Sequence, residues 1–299
     1  MKDLEKRYFA LFDSVSSKIT ILNEGGLFGT CSLTLLKLNE VYPSARRISV
    51  SWEKQNCLRD PGEEKKNIFY DYFTRQENFN PTELEKFETF NYNQIFFNKI
   101  EFEKVNLYIK NYFTPVKLVK TKMDELIKKY SIDFDNTLVI YYRGTDKWTE
   151  VPPLDISLFI KEAKKILKKE PMLKVLVQTD DYFAQEECKK EFGKKAIVLD
   201  DLPATKEKKA IHLLTTKERG SLNKEFNLTF LAVVLLMSKC KYVINSLGNV
   251  SLWTVFFRGN VNNIVQLLPS ENTSLSEKKD LYSNGFKEKI CVISANLDK

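Results

Sequence analysis

Leu138-Val139-Ile140-Tyr141-Tyr142-Arg143-Gly144-Thr145-Asp146-Lys147-Trp148-Thr149-Glu150 is the stretch on which the fold turns. Its first five residues are β-branched, aromatic or aliphatic, follow the polar Asp133-Phe134-Asp135-Asn136, and stop at an Arg-Gly turn. A short, strongly β-prone run bounded by turn residues predicts a strand. Downstream, helical and strand-like patterns alternate: a helix over 154–169, a strand over 174–179, a helix over 182–192, a strand over 196–199, a helix over 225–240, a strand over 242–245, a helix over 250–257 and a strand over 262–268. Such alternation predicts a parallel sheet wrapped by helices.

Upstream the pattern repeats in miniature. An opening helix-like stretch leads to the β-rich Lys18 to Asn23, then Glu24-Gly25-Gly26-Leu27-Phe28-Gly29, a helical Thr30 to Leu38 and a strand-like Arg47 to Trp52, a βαβ unit with glycines at its first turn. From Asn67 to Phe113 the chain is rich in Phe, Tyr and Asn without a clean period, which predicts irregular helices and loops. A helical pattern runs from Pro115 to Tyr130, and the domain boundary is placed at Pro115. The expected architecture is α/β, with two Rossmann-like domains, 1–115 and 116–299, whose parallel sheets face one cleft.

Composition excludes several kinds of chemistry. The 299 residues are 43% hydrophobic and 29% charged, well outside the disordered range. A single histidine, His212, leaves no His-rich metal site and one candidate for any Ser-His or Cys-His pair, so a base should be a carboxylate. Cys31, Cys57, Cys188, Cys240 and Cys291 are scattered and form no C-x-x-C, which suggests neither a disulfide framework nor a thiolate site. No apolar signal core or membrane-length run occurs, so a cytoplasmic protein without a membrane span is expected. The net charge of +7 is mostly lysine spread over helices such as KEAKKILKKE, a solvated face rather than a nucleic-acid groove.

In open α/β sheets ligands bind beyond the carboxyl ends of the strands. There stand Arg143-Gly144, Gln178-Thr179-Asp180-Asp181, Asp200-Asp201 and Ser246-Leu247-Gly248-Asn249. Arg143, one of eight arginines, can grip a phosphate at two points or pair with Asp146 or Asp180. Gly144 lets the backbone approach a ligand closely. Ser246 to Asn249 opens a helix, either as an anion site with Ser246 and Asn249 contributing or as a simple cap. The glycines Gly25, Gly26 and Gly29 serve a cleft or tight packing. Neither the dinucleotide fingerprint nor the P-loop pattern occurs. Asp180-Asp181 and Asp200-Asp201 are possible metal carboxylates or hydrogen-bond acceptors for sugar, ribose or backbone.

The run Tyr141 to Lys147 resembles the H-x-R-x-T-D-K signature of the α1,6-fucosyltransferases and their protein O-fucosyltransferase relatives. Gln178 to Asp181 is similar to the family's A-T-D-D, Leu236 to Ile244 to its F-L-S-x-x-D-x-x-V segment, and the N-terminal glycine turn to its G-x-G-x-Q-L loop. The resemblance implies an inverting, metal-independent GT-B glycosyltransferase that takes fucose from GDP-fucose to a glycan hydroxyl, with an acceptor-side N-terminal domain and a nucleotide-sugar-binding C-terminal domain. It implies that Arg143 binds the donor's β-phosphate, helped by Ser246 and the Gly248 and Asn249 amides, and that Tyr141, Gly144, Lys147, Asp180 and Asp181 border the donor. The family's base falls near Glu150, three residues past Lys147 rather than four; a solvated loop Glu is the other reading, and Asp146 is the second candidate base. Two positions depart from the family: its signature histidine is Tyr141, and an aspartate expected before the L-S-x-x segment is Val233. A non-catalytic glycan- or nucleotide-binding protein of the same fold, or a transferase using another nucleotide sugar, is the alternative.

Overall fold

The computed structural model describes residues 8–23, 25–42, 48–53, 57–63, 67–75, 83–91, 95–145, 154–207, 211, 214, 217, 221–269 and 290–295. Its centre is a six-stranded sheet made of β6 (Thr137–Tyr142), β7 (Lys174–Thr179), β8 (Ala196–Val198), β9 (Tyr242–Asn245), β10 (Ile264–Pro269) and β11 (Ile290–Ala295). The order is β11-β10-β9-β6-β7-β8, parallel throughout except for β11, which runs antiparallel on the edge. Starting from β8, the five parallel strands read third, second, first, fourth, fifth in chain order. This is the doubly wound arrangement, in which the winding reverses between the first and fourth strands, here β6 and β9.

Strand residues alternate between two apolar layers because successive side chains point to opposite faces. Leu138, Ile140, Val175, Val177, Ile244 and Val265 pack against α4 (Ile156–Lys169) and α5 (Tyr182–Phe192) through Phe159, Ile160, Ala163, Ile166 and Cys188. Val139, Tyr141, Leu176, Val243 and Ile264 face the larger cluster, which contains α3 (Lys117–Tyr130), α6 (Asn223–Lys239) and α7 (Asn249–Arg258). The predicted lysine face of α4 is exposed, and Lys164 and Lys165 pair with Glu191 and Glu162.

The N-terminal part keeps the expected βαβ: β2 (Lys18–Asn23), α1 (Leu27–Val41) and β3 (Ser49–Glu53), with β2 and β3 parallel. Two expectations are corrected. Residues Tyr8–Asp13 form a strand, β1, antiparallel to β2, rather than helix. A tight turn over Ser14 to Ser17, in which Asp13 accepts from the Val15 amide, returns the chain, so pairing overrides local helical tendency. The sheet on this side is therefore mixed and three-stranded, not parallel.

The aromatic-rich segment is largely irregular: two short turns at Phe69–Asp71 and Phe97–Lys99, a small ladder between β4 (Phe73–Thr74) and β5 (Thr114–Pro115), and α2 (Phe102–Tyr112). It packs into the same large cluster as α1, α6 and α7, so one apolar core runs through both parts of the chain. Cys31, Cys57, Cys188 and Cys240 are free thiols, and burial pushes Cys188 and Cys240 up to about 12. No helix among the described residues is long and apolar enough to cross a membrane.

Candidate functional site

The point where the winding reverses leaves a crevice between the loops that follow β6 and β9, because their connections depart to opposite faces. β6 ends at Tyr142, and its chain turns through Arg143 and Gly144. β9 ends at Asn245, and Ser246 to Gly248 lead into α7. Gly248 has φ +126° and ψ 164°, a backbone region open essentially to glycine alone, and it aims the amino end of α7 without a side-chain cap.

A cavity of about 460 Å³ opens there, within the usual range for a small-molecule site. Gly25 and Gly26 before α1 and Gly29 in its first turn line it together with Tyr141, Arg143, Asp180 and Asn249. The structure thus joins the N-terminal glycine turn to the strand-end residues. Gly144, Asp181, Ser246 and Gly248 are not among the lining residues, while Asp146, Lys147 and Glu150 lie outside the described residues, as does His212.

Asp180 organises the turn after β6. Its Oδ1 accepts from the Gly144 amide at 2.9 Å and its Oδ2 from the Thr145 hydroxyl at 2.7 Å, with Arg143 Nε at 3.9 Å. The Arg143 side chain is 22% exposed and lines the cavity. A Cβ on Gly144 would fall 2.5 Å from Asp181 Oδ2 and 2.6 Å from Tyr142 Cε1, so the turn admits only glycine without rearrangement. Asp181 caps α5, its Oδ1 accepting from the Phe183 and Ala184 amides. Asp201 is not among the lining residues and is held by Lys129 and Tyr130 of α3. Among the described residues no group of three or more His, Cys, Asp or Glu side chains forms a metal-sized cluster.

The rest of the cavity lining is largely apolar. Leu202, Pro203, Ile211, Phe226 and Phe230 form it with Phe28, whose ring meets Phe230 edge to face at 5.4 Å. Val233 is fully buried in the core; the α6 residues that reach the cavity are Phe226, Asn227 and Phe230. Asn227 is 4% exposed, and its Nδ2 donates to the carbonyls of Cys57 and Asn223 at 2.9 and 2.7 Å. With both amide hydrogens engaged, Oδ1 is the acceptor left in the wall. Cys57 in turn donates from Sγ to the Gly25 carbonyl at 3.1 Å, tying the glycine turn to α6. In the sequence Asn227 is marked only by falling within the helix expected over 225–240.

By sequence, no family model and no curated protein matches the chain. By structure it is similar to solved fucosyltransferases. NodZ alpha-1,6-fucosyltransferase soaked with GDP-fucose aligns at a TM-score of 0.52 and 10% identity, over 93% of this chain and 97% of that one. Selenomethionine NodZ from Bradyrhizobium aligns at 0.37 and 12%, over 64% of this chain and 52% of that one, about half its length. FUT1 of Arabidopsis thaliana in complex with GDP aligns at 0.35 and 14%, over 61% and 40%. The fold is fucosyltransferase-like.

Proposed function

We propose that this chain is an inverting, metal-independent glycosyltransferase of GT-B type that transfers fucose from GDP-fucose to a hydroxyl of a glycan. The observation that carries the reading is the convergence of Arg143, the amino end of α7 and the glycine turn of α1 on one cavity at the point where the winding reverses. Support comes from the NodZ likeness over nearly the whole of both chains, in a crystal soaked with GDP-fucose.

In this reading the diphosphate lies between Arg143 and the amino end of α7. Guanidinium and helix dipole neutralise the charge that builds on the leaving oxygen, a role a divalent ion would otherwise fill. Ser246 and the Gly248 and Asn249 amides add hydrogen bonds, Gly144 and Asp180 hold the arginine turn, and Tyr141 and Lys147 border the donor. The nucleobase occupies the apolar end, where Asn227 Oδ1 accepts from a ring or exocyclic N–H. The acceptor hydroxyl attacks the anomeric carbon from the face opposite the diphosphate and gives its proton to a carboxylate, Glu150 first and Asp146 second. The anomeric C–O bond to phosphate breaks, its electron pair leaves on GDP, and the anomeric configuration inverts. The chain divides near Pro115 into an acceptor side and a donor side, with the glycine turn at the join.

The test is thermal unfolding in chelator with GDP, UDP and their sugars. A nucleotide at 100 times its dissociation constant adds about 2.7 kcal/mol. GDP should raise the transition most, and no shift with any of them sinks the donor site. Glu150→Gln should abolish transfer and leave GDP affinity nearly intact; a parent that binds GDP without turning over any donor is instead a binding protein.

A further inference from the structure

We propose that Ser32 is a positioning residue for the anion end of the cavity: its hydroxyl sets the Asn249 amide so that the Nδ2 hydrogens, not Oδ1, face a bound diphosphate. The inference rests on the donor-site reading above and deepens it. Ser32 belongs to α1, is 2% exposed, and lies between two residues of α7. Trp253 Nε1 donates to Ser32 Oγ at 2.9 Å, and Ser32 Oγ donates to Asn249 Oδ1 at 2.6 Å.

The direction of this relay follows from chemistry. An indole N–H only donates, so the serine oxygen accepts there and spends its one proton on Asn249. A carboxamide has one oxygen and one nitrogen, and with Oδ1 taken by Ser32 the nitrogen is the end left over. Nδ2 sits 3.8 Å from where a Cβ on Gly29 would be, beside the glycine turn and in the same cavity wall as Arg143. Asn249 is the first residue of α7, so its N–H groups add to the positive end of the helix. Flipped, the amide would turn a carbonyl oxygen towards the phosphate and oppose binding. The serine comes from 217 positions away, so the donor site is completed by the N-terminal part of the chain.

The experiment is calorimetric titration of the parent, Ser32→Ala, Ser32→Thr, Asn249→Ala and the Ser32→Ala/Asn249→Ala double variant with GDP, inorganic pyrophosphate and guanosine. Loss of one hydrogen bond to a charged ligand corresponds to about tenfold in affinity. Ser32→Ala should therefore weaken GDP and pyrophosphate about tenfold and change guanosine little. Ser32→Thr, which keeps the hydroxyl, should recover most of the affinity, and the double variant should be no weaker than Asn249→Ala alone. A merely structural serine would weaken GDP and guanosine alike, and that result overturns the proposal, as would parent-like binding by Ser32→Ala or additive losses. A parent that binds neither GDP nor pyrophosphate overturns the donor site itself and this inference with it. If Ser32→Ala does not fold, Asn249→Asp decides: it keeps the Ser32 bond but puts an oxygen where Nδ2 was, so retained pyrophosphate binding would refute the role.

Discussion

Two arginines with the same chemistry serve opposite ends. Arg258 is sunk against the carboxyl end of α6, donating to the carbonyls of Ser238, Cys240 and Lys241 and to Asn262 in the loop before β10. Arg143 sits in a turn that Asp180 holds through the Gly144 amide, and its side chain lines the cavity. Arg258→Ala strips partners from several carbonyls and should cost roughly 3 kcal/mol, read as a fall of several degrees in the unfolding midpoint with GDP affinity per folded molecule unchanged. Arg143→Lys should do the reverse: about tenfold weaker GDP binding by titration, with the midpoint moved little, because a lysine cannot make the two-point contact. Gly144→Ala forces a methyl into Asp181 and Tyr142 and should reproduce the binding loss of Arg143→Lys while leaving position 143 intact.

Among the elements, the wall after β8 is clamped at both ends. Thr205 donates its amide to the Asp180 carbonyl and accepts from the Tyr182 amide, and Asp201 receives the Tyr130 hydroxyl at 2.6 Å and the Lys129 ammonium at 3.0 Å. Leu202 and Pro203, between the clamps, line the cavity. Burial pushes the Asp201 carboxyl up, but the Tyr130 and Lys129 contacts outweigh it and leave the group below the usual carboxylate range. A carboxylate held low stabilises the fold above its unfolded value near 3.9 and loses that contribution as pH falls through the folded value. The unfolding midpoint of Asp201→Asn should therefore lie below the parent's at pH 6, and the gap should narrow as pH falls below the unfolded carboxylate value. A constant gap would mean that the carboxylate charge is not what holds the loop. Gly248→Ala tests the other wall: with φ at +126° the substitution should cost roughly 1–3 kcal/mol and misdirect the amino end of α7.

At the scale of the whole molecule, three side-chain amides act as strand partners. Asn67 bonds Val50 and Trp52, Asn39 bonds both backbone groups of Phe87, and Gln266 bonds the Phe97 amide and the Ile95 carbonyl. These fasten the irregular aromatic segment to α1, β3 and β10, within one apolar cluster shared by both parts of the chain. Heat should therefore unfold the protein in a single transition, coincident by near- and far-ultraviolet circular dichroism, despite a division near Pro115. Two separated transitions would mean that the shared core does not couple the parts.

What the sequence determined by itself was the part encoded by neighbours along the chain. Strands β2, β7 and β9 and helix α5 fall where period and turn residues place them, and Arg143, Asp180 and Asn249, singled out because a parallel sheet puts strand ends on one edge, line one cavity. What only the tertiary structure decided depends on partners far apart in sequence. β1 is a strand because β2 pairs with it. The apolar part of the cavity exists because α6 brings Phe226 and Phe230 into its lining, with Phe230 against Phe28. The orientation of Asn249 depends on a serine and a tryptophan on two different helices. Periodicity records which face of an element is buried; it does not record against what, and the chemistry of a site is settled by that second fact.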